Sequence, residues 1–373
     1  MADAVTAGAI GERRRPRSVP FSRVERELDQ LWAGLEGPDG AAQTRALMAN
    51  VVAFCRSRQE EAAIVDDVAT IVARHPSRVV VLTADAASEA DEIEALVAAH
   101  GRSGDGGEQL CGEHVMLRAG GPSARSLPSA VRSLVLGDLP TALWWATPEA
   151  PPLAGDLFDE LAGEATQVIY DSMAWTDPLR QLVVTARWIA TNGGQATSDL
   201  AWRRPKLWRR LIAQMMDPAL APGAIDNITE VDIEHGPHTL TQAWLLSGWL
   251  AFRLGWQPRG GRVLPGPEVS WSFDWEHGMP RVNIRRLPEG ESEIRSIRIA
   301  TRVHDRPVTF RFTWEGPGRL HGVAHGLSDR VVSLTGPVQT RGALVARQLP
   351  DYKRDRLFES AVALARTMAE AVL

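Results

Sequence analysis

From residue 41 to residue 171 the chain alternates β-branched apolar runs with stretches whose apolar residues recur at helical spacing. That alternation restricts it to folds built on a largely parallel sheet with helices over both faces. Leu47 to Cys55 reads as a buried strand, and Glu60 to His75 follows as a helix with Ile64, Val65, Val68, Ile71 and Val72 on one stripe. Val79 to Thr83 is a second strand, Glu89 to His100 a second helix, and His114 to Arg118 a further strand after the glycine-rich stretch from Gly101 to Gly107. Pro128 to Leu136 then reads as a helix, Thr141 to Ala146 as a strand carrying Trp144 and Trp145, and Gln167 to Asp171 as the last strand.

After Asp177-Pro178 the pattern turns helical, over Leu179 to Thr191, Pro205 to Asp217 and Leu240 to Leu254. Past Gly255 the apolar period becomes two: Val269, Trp271, Phe273 and Trp275 alternate with polar residues, as do Ile297 to Val303 and Val308 to Trp314. These are half-buried antiparallel strands, and the apolar stripe from Asp355 to Leu373 is a helix fit to cover them. The expected organisation is a basic arm and short helix over 1–40, an α/β N-terminal domain over 41–175, and a helical connector with an α+β C-terminal domain over 176–373. In the last of these an antiparallel meander is covered by helices. A length of 373 residues supports two cores.

Composition narrows the function classes. The net charge of −5 removes any global pull toward nucleic acid. No run reaches the 18 or so apolar residues of a membrane span, and the charged start, Gly11 to Arg17 followed by an amphipathic stretch from Phe21 to Leu35, is no signal peptide. Two cysteines, Cys55 and Cys111, cannot staple a chain this long, so a reducing cytoplasm is expected. They could form a redox pair; Cys55 is placed at a strand end, as a buried thiol, and Cys111 in a loop. Of 41 cations only Lys206 and Lys353 are lysine, and the 13 Trp residues call for burial or a partner surface.

Catalytic motifs do not emerge. The turn after the first strand, Arg56-Ser57-Arg58-Gln59-Glu60, lacks the glycines of a dinucleotide site, and neither lysine sits in a P-loop. His235/His238 and His321/His325 do not make a metal array, no nucleophile elbow occurs, and no cofactor is implied. The densest feature is the segment from Asp199 to Arg210, in which Arg203, Arg204, Lys206, Arg209 and Arg210 crowd around Trp202 and Trp208. Pro205 can open a helix here. Such a segment is either a docking surface for an acidic or phosphorylated partner or a solvated helix whose arginines pair with nearby carboxylates.

Leu139 to Trp145, Val168 to Ser172, Ser198 to Trp202 continuing to Trp208-Arg209, and Arg347-Gln348 together resemble the glucose-6-phosphate dehydrogenase assembly protein family, OpcA. The resemblance runs from about residue 45 onward. It implies a non-catalytic subunit, no enzyme itself, that binds glucose-6-phosphate dehydrogenase of the oxidative pentose phosphate pathway and activates it allosterically, with neither nucleic acid nor membrane as partner. In cyanobacterial members activation is linked to thioredoxin through cysteines; the later part of this chain has none, so that switch does not carry over to Cys55 and Cys111. Trp202, Arg203, Arg204, Lys206, Arg209 and Arg210 are the expected interface residues. The other reading of the same arginines is a sugar-phosphate- or nucleotide-binding α/β enzyme with an anion site.

Overall fold

The computed structural model describes residues 16–33, 46–85, 92–104, 107–266, 268–327 and 330–373. The segment Gly11 to Arg15 of the expected basic arm lies outside them, as do the side chains of residues 101–111.

The first sheet has eight strands in the order β1-β4-β5-β3-β2-β6-β7-β8. The chain enters through β1 (Arg17–Val19) and α1 (Val24–Ala33), then forms β2 (Ala49–Cys55), α2 (Arg58–Arg74) and β3 (Ser77–Asp85). β4 (Glu94–Gly104) and β5 (Gly107–Gly120) make a long antiparallel hairpin, followed by α3 (Leu127–Leu134), β6 (Thr141–Trp145), α4 (Asp156–Gly163), β7 (Gln167–Tyr170), α5 (Pro178–Thr191) and β8 (Ala196–Asp199). From β5 through β8 every neighbouring pair is parallel; β1 and β4 are the antiparallel edge.

Three expectations change here. The helix expected over Glu89 to His100 is strand β4 from Glu94 onward, and residues 89–91 lie outside the described residues; Leu96 and Val97 pair with Met116 and Val115 of β5 and with Ser18 and Arg17 of β1. Two ladders override the helix propensity of Glu, Ala and Leu. The glycine-rich stretch supplies the ends of this hairpin, and Cys111 lies on β5, not in a loop. Gln167 to Tyr170 is not the last strand of the sheet, since β8 adds one more parallel neighbour.

The alternation of the buried strands sends side chains to two cores. Val52, Phe54, Val80, Leu82, Leu143 and Trp145 face α1, α3, α4 and α5, while Val51, Ala53, Val79, Val81, Trp144 and Ile169 face α2. The second face is completed by α9 (Arg341–Gln348), from far along the chain, through Leu344, Val345, Ala346 and Leu349. Arg341 pairs with Asp67 of α2 at 2.6 Å, and the backbone N–H of Gly342 donates to the same carboxylate at 2.9 Å.

The second unit follows α6 (Leu200–Arg203) and α7 (Lys206–Met215). It consists of β9 (Glu230–His235), α8 (Leu240–Leu254), β10 (Gln257–Leu264), β11 (Glu268–Asp274), β12 (Arg281–Arg286), β13 (Ile294–Val303), β14 (Arg306–Gly316), β15 (Arg319–His325) and β16 (Arg330–Thr335). After α9 comes α10 (Arg356–Glu370). Its eight-stranded sheet runs β10-β11-β12-β9-β13-β14-β15-β16 and is antiparallel except for β12 beside β9. One face is apolar and packs on α7, α8 and α10. On the other, Glu230, Asp232 and Glu234 of β9 pair with Arg281, Arg285 and Arg298.

Helix α8 is buried over most of its length, with Trp244 edge-on to Trp271 of β11 at 4.5 Å between ring centroids. Gly248 permits α10 to close on it: a Cβ there would meet the Ala361 carbonyl oxygen at 2.3 Å. None of the Trp side chains is exposed; all are buried or half-buried, so the ring surplus serves the interior. Among the described residues no helix is long and apolar enough to cross a membrane.

Candidate functional site

The segment from Asp199 to Arg210 lies where the two sheets meet. Asp199 ends β8 and caps α6, its Oδ1 accepting the Ala201 N–H at 2.8 Å. After Pro205, α7 buries Trp208, Leu211, Ile212 and Met215, which seat it on β15 and β16. Gly322 of β15 makes the seat, because a Cβ there would meet the Met215 sulfur at 2.3 Å. Burying such side chains is worth about 1.5–3 kcal/mol each, so the stripe fixes the helix and thereby the direction of its cations.

Those cations divide into two groups. Trp202 is 2 % exposed; its indole N–H donates to Asp355 Oδ2 at 3.1 Å and its ring packs against Phe358. Arg209 lies over that ring, 3.7 Å from its centroid, and donates to the Trp202 carbonyl at 2.9 Å; burial brings its pKa down to about 10, which leaves it charged at neutral pH. Arg204 forks onto Asp171 at 2.8 and 2.7 Å, and Arg203 reaches Asp351 at 3.3 Å. Trp202, Arg203, Arg204 and Arg209 thus tie α6 and α7 to the end of β7 and the start of α10. Lys206 and Arg210 are exposed and have no carboxylate partner among the described residues.

Lys206 and Arg210 rim a cleft of 420 Å³. The cleft lies between α7, the loop after β12, the β14–β15 turn and the segment joining β16 to α9. Two more exposed cations enter it without a carboxylate partner, Arg319 from the turn and Arg347 from α9, which bonds Gln339 at 3.0 Å. Sequence reasoning missed Arg319; the Gly316-Pro317-Gly318 turn before it was the available signal. Gly318 has a φ of +71° and hands its carbonyl to the Gly336 N–H at 2.7 Å, so the two connecting segments close on each other. The lining includes apolar Leu207, Trp208, Trp314 and Leu320, and Glu291 and Glu293 join it from the loop after β12. Burial raises the Glu293 carboxyl above its usual pKa, and Arg204 opposes that shift.

Behind the cleft Asp199 is fully buried. Its Oδ2 accepts the Ser172 hydroxyl at 2.6 Å, and its Oδ1 accepts the Ser172 and Ala201 N–H groups. Burial raises its pKa from 3.8 to about 7, the Ser172 hydroxyl lowers it, and neighbouring Asp171 adds to the rise. A carboxyl raised in this way holds its proton in the folded chain and loses it in the unfolded one. Its contribution therefore makes stability fall as pH climbs from about 4 to about 7. Asp199→Asn keeps the acceptors for both N–H groups and can donate to the Ser172 oxygen. It is expected to match the parent near pH 4 and to exceed it increasingly up to pH 7, in urea midpoints measured at each pH. A constant difference across that range contradicts the assignment.

The two cysteines are not brought together as a described pair. Cys55 is buried, its thiol pushed up to about 12 by burial, and it contacts the Thr83 hydroxyl at 3.4 Å. A thiol held so far from thiolate is a poor redox centre. The side chain of Cys111 lies outside the described residues. At the switch point of the first sheet, between β2 and β6, where α/β folds commonly bind ligands, Arg56 pairs with Glu149 across the gap, and Phe54 stacks on Trp145 beneath. That crevice is spanned by protein groups.

Two family models match in succession: the glucose-6-phosphate dehydrogenase subunit N-terminal domain over residues 68–187 and its C-terminal domain over residues 195–362. The chain belongs to the OpcA family. The OpcA protein of Synechococcus elongatus, named for the OxPP cycle, is 28% identical over 276 residues, covering 68% of this chain and 59% of that protein. Its namesake from Synechocystis is 29% identical over 200 residues, covering 53% of this chain and 41% of its own length. The matched region thus spans about half the length of these OpcA relatives. Among solved structures, the transcriptional regulator Gal80p of Kluyveromyces lactis aligns over 92% of this chain and 95% of its own, at 8% identity and a TM-score of 0.49.

Proposed function

We propose that this chain is a non-catalytic subunit that docks on glucose-6-phosphate dehydrogenase in the oxidative pentose phosphate pathway and favours that enzyme's working conformation. Membership of the OpcA family supports the partner and the pathway. The observation that carries the docking surface is the division of the cations. Trp202, Arg203, Arg204 and Arg209 are engaged within the chain, whereas Lys206 and Arg210 project from a rigidly seated helix, flanked by Arg319 and Arg347. Uncompensated cations on a fixed element suit an acidic patch on a partner and speed its encounter. Activation follows only if the chain binds the competent enzyme state better than the incompetent one, since equal affinity would shift no population.

Lys206→Glu combined with Arg210→Glu tests the surface. Both residues are exposed, so thermal unfolding should be unchanged. Replacing two cations by anions should weaken activation of the dehydrogenase about tenfold or more, with a shallower salt dependence. Full activation by a folded double variant refutes the assigned surface. Arg209 is unsuitable for this test, because its removal strips the stack from Trp202 and confounds folding with docking.

A further inference from the structure

We infer that the 420 Å³ cleft beside α7 is a binding site for a hydroxylated phosphate monoester of sugar-phosphate size, held by Arg319, Arg210, Lys206 and Arg347. Its volume falls in the range of small-ligand pockets. The four cations come from three separate stretches of chain, α7, the β14–β15 turn and α9, and none has a carboxylate partner among the described residues. A phosphate group offers several acceptor oxygens at once, and convergent guanidinium and ammonium donors are the side chains that saturate them.

The acidic residues of the lining bear on the rest of the ligand. The carboxylates of Glu291 and Glu293 make no side-chain hydrogen bond and no ion pair within 4 Å among the described residues, and both residues line the cleft. An ionised carboxylate accepts hydrogen bonds only, so a ligand that reaches both these acids and the cations has to combine hydrogen-bond donors with an anion, as the hydroxyls and phosphate of a sugar phosphate do. A purine or pyrimidine fits less well. Trp208 is 3 % exposed, and Arg295 covers one face of Trp314 at 4.3 Å from its centroid, so no open aromatic pair is available for base stacking. The apolar part of the lining instead suits the C–H face of a sugar ring.

Calorimetry on the full chain alone tests the site, with glucose 6-phosphate, glucose, inorganic phosphate and adenosine monophosphate as probes. The expected result is that glucose 6-phosphate binds at least tenfold more tightly than inorganic phosphate or the nucleotide, while glucose gives no heat. Arg319→Ala should weaken glucose 6-phosphate roughly tenfold or more. Glu291→Gln, which keeps its shape, should weaken glucose 6-phosphate while leaving inorganic phosphate unaltered. Equal affinity for inorganic phosphate and the ester, preference for the nucleotide, an unaffected Arg319→Ala variant, or no binding at millimolar ester each overturns the assignment. Because no dehydrogenase is present in the assay, such a failure leaves the docking proposal standing on its own test.

Discussion

Glu113→Ala is expected to destabilise the chain by about 3–5 kcal/mol, the range for breaking one side of a buried ion pair. Glu113 is 0 % exposed and Arg78 is 1 % exposed. Arg78 Nε donates to Glu113 Oε1 at 2.6 Å, while the Trp32 indole N–H donates to the other carboxylate oxygen. The same guanidinium reaches Glu25 of α1 at 2.6 and 3.0 Å and the Leu134 carbonyl at the end of α3. One buried cation therefore joins β3, β5 and two helices, and deleting Glu113 leaves it under-compensated. Urea denaturation measures the loss. Adding Arg78→Met to Glu113→Ala should recover part of it, because the double variant has no buried charge left to strand. A loss below about 1 kcal/mol for Glu113→Ala would show that the pair bears little of the fold's stability.

Trp202→Ala should cost a similar amount, about 3–5 kcal/mol, for a different reason. The ring fills the joint between α6 and α10, against Phe358, and its N–H satisfies the carboxylate that caps α10. Truncation opens a cavity, leaves Asp355 with one partner fewer and deprives the Arg209 guanidinium of the ring beneath it. Trp202→Phe retains one ring against Phe358 and Arg209 and loses the hydrogen bond with a smaller part of the packed volume, so it should cost less. If the two variants are equally damaging in thermal unfolding, the packing that the phenyl ring retains contributes little and the packing argument is wrong.

The elements that were legible in the sequence are those whose burial is dictated by their own periodicity. The stripe Ile64, Val68, Ile71 and Val72 forms α2, and the period-two alternation through Val269, Trp271 and Phe273 and through Ile297 to Val303 forms β11 and β13 of the second sheet. Residues 94–100 were misread because Glu-Ala-Leu-Val-Ala-Ala-His favours a helix locally, and only the neighbours Met116 and Val115 on one side and Arg17 and Ser18 on the other make it a strand. For the candidate site, the cluster from Arg203 to Arg210 was visible, but which of its members face outward was not. That depends on Asp171, Asp351 and Asp355, whose positions are set by β7 and by the approach to α10. Arg319, at the start of β15, and Glu291, in the loop between β12 and β13, lie far from α7 in sequence and reach the cleft only in the folded second sheet.

The placement of α9 carries a consequence for how the chain is made. Leu344, Val345, Ala346 and Leu349 lie over Trp144 and Ile169, and Gln167 of β7 donates to the Leu349 carbonyl at 3.1 Å. During synthesis, strands β2 through β8 emerge from the ribosome well before residue 341 does, so this greasy flank of the first sheet stays bare until some 140 further residues have been translated. A nascent chain halted in that interval would display it to solvent, which makes the stalled product a natural client for chaperones.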